Sequence, residues 1–159
     1  MKPITHELID QLVAQAGTNA RRRTHYNVHE QASDPVQRLF VAARQDSYFR
    51  PHRHASKEES ALVIRGRFDV VAFDDMGRVT GRLAVGPGAG AVGFQMPANT
   101  WHSWIPMEDE SVFFEVKQGP YDPKTAAEFA PWSPAEGTAE VPGFLAWLRA
   151  AKAGDVAGR

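Results

Sequence analysis

Between Arg23 and about Gln118 the chain shows period-two alternation and β-branched or aromatic runs, among them VQRLFVAA, SALVIRGRFDVVAFD, GRLAVG, AVGFQMP and ESVFFEVKQ. That repeat belongs to strands whose two faces meet different surroundings, and a helix of 3.6 residues per turn cannot satisfy it. Turn residues punctuate the runs at Asp75-Met-Gly77, Gly86-Pro-Gly88 and Met96-Pro97-Ala98-Asn99. Short strands on such spacing predict a sandwich or small barrel. Helical spacing is found towards the ends. Leu8, Leu12 or Val13, and Ala16 share one face of a helix from Thr5 to Ala16, with Thr5 as N-cap and Gly17 as stop. A helical turn is expected from Lys124 to Phe129, then a Pro-rich crossing, then a helix from about Pro142 to Lys152.

A chain of 159 residues, 43% of them apolar, can bury one substantial core. The expectation is one domain in three parts: an N-terminal helix (1–20), a barrel (21–120) and a C-terminal extension (121–159). Lysine plus arginine (18) nearly balances aspartate plus glutamate (19), which gives no field to draw the protein to nucleic acid or an anionic membrane. The N-terminus lacks the uninterrupted apolar core of a signal peptide, and no stretch is long enough to span a bilayer. The expected location is therefore cytoplasmic. With no cysteine, thiolate nucleophiles, disulfides and Cys-based metal sites are excluded. Any metal site must use nitrogen and oxygen.

Such a set is present in PHRHASKEE, residues 51–59. Residues two apart on a strand face the same way, roughly 6.6 Å apart. His52 and His54 can therefore aim both imidazoles at one point while Arg53 faces away. After a tight loop, Glu58 or Glu59 can bring a carboxylate to that point. The fourth candidate is His102 in MPANTWHSW, on a strand fed by a Pro-initiated turn, with Trp104 on the same face. Three histidines and one carboxylate suit a divalent transition metal, whereas Mg²⁺ and Ca²⁺ prefer all-oxygen shells.

His52-x-His54-x4-Glu59-x6-Gly66 resembles the first signature of the cupin superfamily, and Gly93-x3-Pro97-x4-His102 resembles the second. The first spacing favours Glu59 over Glu58. More narrowly, Asn27-Val-His29, Asp34-Pro-Val-Gln-Arg38, Tyr48-x2-Pro-His-Arg-His54, Phe73-Asp-x2-Gly77, Pro97-x3-Trp-His102 and Glu115-x-Lys-x-Gly-Pro-Tyr121 together resemble the WbuC family of cupin-fold metalloproteins. The resemblance implies a mainly β, single-domain cupin, a double-stranded β-helix or jelly-roll barrel with short N- and C-terminal helices. It implies one divalent ion (zinc, iron, nickel or manganese) on His52, His54, Glu59 and His102, and a homodimer formed through outer strands. Family members are often encoded beside surface-polysaccharide genes. Asn99 stands where many cupins have glycine, a change that asparagine's access to left-handed backbone allows.

Two further strands carry candidate chemistry. Arg23, His25, Asn27 and His29 alternate with Thr24, Tyr26 and Val28, which describes either a solvent-facing edge strand or a pocket wall. The resemblance at Asn27 and His29 favours the pocket. Arg23 would then be the partner of an anionic, polyhydroxylated ligand and Asn27 and His29 its hydrogen-bonding groups, joined by Lys117 and Tyr121. On ESVFFEVKQ, Phe113, Glu115 and Lys117 share a face. Turned inward, Glu115 becomes a candidate general acid or base with Lys117 as charge partner, and His29 a second proton carrier. Three functions stay open: an isomerase or epimerase of a sugar or nucleotide sugar, an iron-dependent oxygenase, and a non-catalytic small-ligand module. Trp101, Trp104, Phe94 and Phe113 are expected in the core or a pocket wall, Arg53 exposed or at an interface, and Arg38 beside Asp34 or Asp46.

Overall fold

The structure, a computed structural model, describes residues 1–158. In chain order the elements are α1 (His6–Thr18), β1 (Arg23–Asn27), β2 (Val36–Ala43), β3 (His52–Arg53), β4 (Glu59–Arg65), β5 (Phe68–Phe73), β6 (Val79–Val85), β7 (Gly93–Met96), β8 (Trp101–Pro106), β9 (Ser111–Gln118), β10 (Glu128–Phe129) and α2 (Val141–Ala150). The strands form two five-stranded sheets, β1-β2-β9-β4-β7 and β10-β3-β8-β5-β6. Within them the pairings are antiparallel.

The period-two alternation sorts side chains between three apolar layers. Between the sheets lie Val41, Ala61, Val63, Phe68, Val70, Trp104 and Phe113 among others. Trp104 and Phe113 stack there at 3.9 Å between ring centroids, one from each sheet. Phe40, Ala42 and Val112 face outward from the first sheet, where Ile9, Leu12, Val13 and Ala16 of α1 cover them. Val71, Phe73, Trp101 and Ile105 face outward from the second sheet against Leu148 and Ala151 in and after α2. Several strands are thus buried on both faces, which explains why VQRLFVAA and FDVVAF read as nearly continuous apolar runs.

Gly66 makes the turn from β4 to β5. Its φ is +64°, and a Cβ there would stand 2.5 Å from Ser111 Oγ, so both backbone conformation and close approach demand glycine. Asn99 adopts φ 60°, the left-handed conformation expected of it. Its N–H donates to the His54 carbonyl at 2.7 Å, which ties the turn before β8 to the strand carrying the histidine pair.

Some boundaries differ from expectation. Thr5 caps α1, its Oγ1 accepting from the Leu8 N–H at 3.2 Å, but the helix continues through Gly17 to Thr18. The Arg22 guanidinium donates to the Gly17 carbonyl, satisfying a terminal acceptor that would otherwise favour an earlier stop. Lys124 to Phe129 is not a helical turn throughout. Its end is β10, paired with β3 through Glu128↔Arg53 and Phe129↔His52. The Arg53 guanidinium takes both carboxylate oxygens of Glu128, at 2.8 and 2.9 Å, and lies over the Trp101 ring. Those contacts fix Arg53 within the chain. Asp46 pairs with Arg22, and Asp34 accepts from the Glu30 N–H, so neither serves Arg38.

Candidate metal centre

β3 places His52 directly opposite His102 of β8, while His54 follows at the end of β3. The ligating atoms of these three histidines all lie within 4.8 Å of one another. From the opposite sheet, Glu59 opens β4 and is only 2% exposed. Its Oε2 lies 3.0 Å from His54 Nε2 and its Oε1 3.0 Å from His102 Nε2. Glu58 points to the outer face, where it accepts from the Gln95 side-chain amide at 2.8 Å.

Each ring is oriented by a backbone carbonyl. Nδ1 of His52 lies 2.9 Å from the Arg50 oxygen, that of His54 2.5 Å from the Ala126 oxygen, and that of His102 2.8 Å from the Thr100 oxygen. A carbonyl can only accept, so each Nδ1 carries a proton, and a ring without a second proton turns an Nε2 lone pair inward. Hydrogen bonding of the remote nitrogen is the arrangement that orients metal-bound histidine. The lone pairs of His54 and His102 meet the buried Glu59 carboxylate, another acceptor. His102 Nε2 and Glu59 Oε1 accordingly stand 3.0 Å apart without a hydrogen-bond partner. Only positive charge reconciles these groups, as protons on imidazole or as a cation among them. Three nitrogens and one carboxylate fit a divalent transition metal.

The titration behaviour follows from the same crowding. Burial, then the neighbouring His102, push His52 down to about 3. Burial also opposes charge on His102, but contact with Glu59 outweighs it and the value rises. For Glu59, burial acts upward, yet contacts with His102 and His54 hold it well below the usual carboxylate range. Glu115 is raised by burial and then by the charge of Glu59, against the pull of Lys117. Its Oε1 lies 2.6 Å from Lys117 Nζ. Burial would lower Lys117, but Glu115 and Glu59 raise it further than that. The alternation on β9 therefore does turn Glu115 and Lys117 inward, where Lys117 faces Glu59 across the β4–β9 ladder.

Beside the centre is a cavity of about 370 Å³ whose walls include Asn27, His29, Gln37, Leu39, Lys117 and Tyr121. The polar face of β1 lines it, and Tyr26 and Val28 on the other face pack against the α1 layer. His29 Nδ1 sits 3.0 Å from the Arg38 N–H and 2.9 Å from its carbonyl, which fixes the ring in either tautomer. Neither the four candidate ligands nor Glu115 line this cavity. Lys117 is the side chain common to both regions.

Arg23 is elsewhere. Its guanidinium pairs with Glu136, donates to the Tyr48 carbonyl at 2.7 Å and lies over the Phe49 ring, so it is not available as a partner for a ligand anion in the cavity. The sequence offered no sign that a residue 113 positions away would claim it. Gln37 is a further polar residue on the inward face of β2. It is 3% exposed, and its Nε2 donates to the Ala32 and Asp34 carbonyls. A polar residue in phase with inward Leu39 and Val41 was the available signal.

The sequence matches the family described as Domain of unknown function (DUF6016) over residues 4–85, just over half of the chain. The chain belongs to that family. The DUF6016 match includes His52, His54 and Glu59 and ends before His102 and Glu115. No curated protein matches the chain. Among solved structures, DMSP lyase DddQ from Ruegeria pomeroyi is similar at 17% identity and TM-score 0.54, over 72% of this chain and 54% of that one. An oxalate oxidase in complex with the substrate analogue glycolate is similar at 16% and 0.53, over 72% and 58%. Oxalate decarboxylase from Bacillus subtilis is similar at 20% and 0.52, over 67% of this chain and 27% of that one. The chain thus spans about a quarter to somewhat over half of these proteins' lengths. The fold they share with it is the cupin fold. Among the described residues no helix is long and apolar enough to cross a membrane.

Proposed function

We propose that this chain holds one divalent transition metal through Nε2 of His52, His54 and His102 and the carboxylate of Glu59, and that the centre serves an isomerase or epimerase reaction on a sugar or nucleotide sugar of surface-polysaccharide synthesis. The observation that carries the metal is the approach of three imidazoles whose ligating atoms lie within 4.8 Å of one another, each with a carbonyl behind the ring, beside the Glu59 carboxylate 3.0 Å from His54 Nε2 and His102 Nε2. A bound ion would polarise a carbonyl or hydroxyl of the substrate. The chain's own residues do the rest. Glu115 Oε1, buried and paired with Lys117, is the group that holds or moves a proton, and His29 is the second carrier, from the cavity side. Asn27, Gln37 and Tyr121 orient a small polyhydroxylated ligand, with Lys117 as the cation for an anionic group. The WbuC-like motifs support the sugar. The bare Leu62 and Ile64, 52% and 43% exposed on β4, support pairing of two copies through an outer sheet face.

The test begins with elemental analysis and native mass spectrometry of protein purified without added metal. About one transition-metal ion per chain is expected. Absence of metal, also after incubation with zinc, iron, nickel and manganese salts, would sink the reading. Co-purified ligand incubated with the loaded protein in D₂O should gain deuterium on carbon. Ferrous iron with ligand-dependent O₂ uptake would instead identify an oxygenase, and tight binding without turnover a binding module.

A further inference from the structure

Two of the three histidines are backed by carbonyls of residues that are not themselves candidate ligands. The His54 ring leans on the Ala126 carbonyl, and His52 on the carbonyl of Arg50. Arg50 itself reaches over the segment after β10. Its Nη2 donates to the Ala130 and Ser133 carbonyls at 3.3 and 3.1 Å, and its Nε to Ser133 Oγ at 3.2 Å. Its guanidinium also lies over the Phe129 ring, 5.1 Å from the centroid, and that ring is 6.3 Å from the His52 ring. The Ala130 N–H returns a bond to the Pro51 carbonyl at 2.9 Å. One side chain therefore holds residues 129–133 beside β3, and β10, paired to β3, carries that contact back towards Ala126.

We infer that residues 126–133 are a clasp for the metal centre and that Arg50 is its positioning residue, setting the orientation of His52 and His54 without touching the ion. This rests on the metal reading above and adds a determinant of metal affinity outside both histidine signatures. The planar guanidinium satisfies three acceptors at fixed angles, which an ammonium group cannot copy. Without it the segment keeps only the two-residue β10 pairing and the Arg53–Glu128 contact, which loosens the Ala126 carbonyl against His54 Nδ1 and the contact that fixes the ring's tautomer. Partners behind metal-bound histidines are typically worth about 10–100-fold in affinity, and Arg50, one step further back, is expected at the lower end of that range.

The experiment uses the full chain and Co²⁺ as probe, with affinity from chelator competition and coordination from the visible spectrum. Arg50→Met is expected to weaken Co²⁺ binding about tenfold and alter the spectrum, and Arg50→Lys is expected to restore little. Histidine ¹⁵N spectra of the metal-free protein should show His54 losing its single Nδ1–H tautomer. If Arg50→Met proves unfolded, Ser133→Ala, which removes one acceptor of the clasp, should still weaken binding by a few-fold. Wild-type protein that binds no metal would overturn the metal reading. Wild-type that binds, with variants that lower the metal-free melting temperature but leave affinity, spectrum and tautomer unchanged, would overturn the clasp and leave a merely structural arginine.

Discussion

The two sheets bring different things to the centre. The β10-β3-β8-β5-β6 sheet and the turn after β3 supply nitrogen: His52, His54 and His102, neutral when their lone pairs face inward. The other sheet supplies charge, with Glu59 on β4 and the Glu115–Lys117 pair on β9. Counting side chains alone, the charged side carries one excess negative unit that the nitrogen side cannot neutralise without protons. The contrast teaches that the site is a seam, and that a cation held there would tie the two sheets together.

Removing a nitrogen donor should have the largest effect. His52→Ala, His54→Ala or His102→Ala is expected to weaken metal binding by more than about 100-fold, beyond the usual cost of losing an outer partner. Glu59→Ala should act in the same direction, and Glu58→Ala should leave metal content unchanged because its carboxylate is on the outer face. Loss of metal in Glu58→Ala would mean the inward register of β4 is wrong.

The charged side can be broken without touching a ligand. Lys117→Met strands Glu115 beside Glu59 and should destabilise the metal-free protein by about 3 kcal/mol, the lower end for breaking a buried pair. Denaturant unfolding would measure it. Glu115→Gln combined with Lys117→Met should recover most of the loss, and additive effects in that cycle would show that the two residues do not act as a pair. Saturating metal should add a few kcal/mol to wild-type stability. Complete unfolding on chelation would make the ion structural instead.

Protons give a finer measure. His102, raised by Glu59, keeps its proton to higher pH than a free histidine, and a metal must displace it. Metal uptake near pH 7 should therefore release up to about one proton, fewer as pH rises through the folded value of His102. Calorimetry in buffers of different ionisation enthalpy would count it. His52 has the opposite sign. The unfolded chain protonates it below its ordinary 6.5 and the folded chain only near 3, so stability is lost as pH falls through that interval. Glu59, held low, contributes stability above its ordinary 4.5 that is lost on further acidification. In Glu115→Gln protein, which lacks the raised carboxyl that acts with the opposite sign, the metal-free melting temperature should accordingly drop on the acid side, and a flat profile from pH 6.5 to 3 would contradict both shifts.

The smallest expected effect lies away from the seam. Glu136→Gln removes the carboxylate partner of Arg21 and Arg23 and should cost roughly 1 kcal/mol, as partly exposed pairs do, with no change in metal content.

What the sequence showed and what it hid divide along the range of the contacts involved. Two-residue alternation fixes the direction of a side chain, so the inward set His52, His54, Glu59, Glu115 and Lys117 could be read from neighbours alone. The left-handed turn at Asn99 and the N-cap at Thr5 are equally local. Arg23 shared the inward phase of Asn27 but was claimed by Glu136 from the distant Pro-rich crossing, and periodicity says nothing about such a partner. The two residues of β10 were too few to show a period, and their conformation is imposed by β3. Backbone carbonyls such as that of Ala126 have no sequence signature at all.

The strand order has a further consequence during synthesis. β9 lies between β2 and β4, with Val36 opposite Gln118 and Glu59 opposite Lys117, so both earlier strands must wait for the last long one. Loop-closure entropy delays such pairings, and unpaired edges invite association with other chains in the interval. On the ribosome, β2 and β4 emerge well before the strand that joins them, and His52, His54 and Glu59 emerge before His102. A nascent chain thus presents a loose two-histidine chelate first, and the full set of four donors can assemble only after the β8 segment has left the exit tunnel.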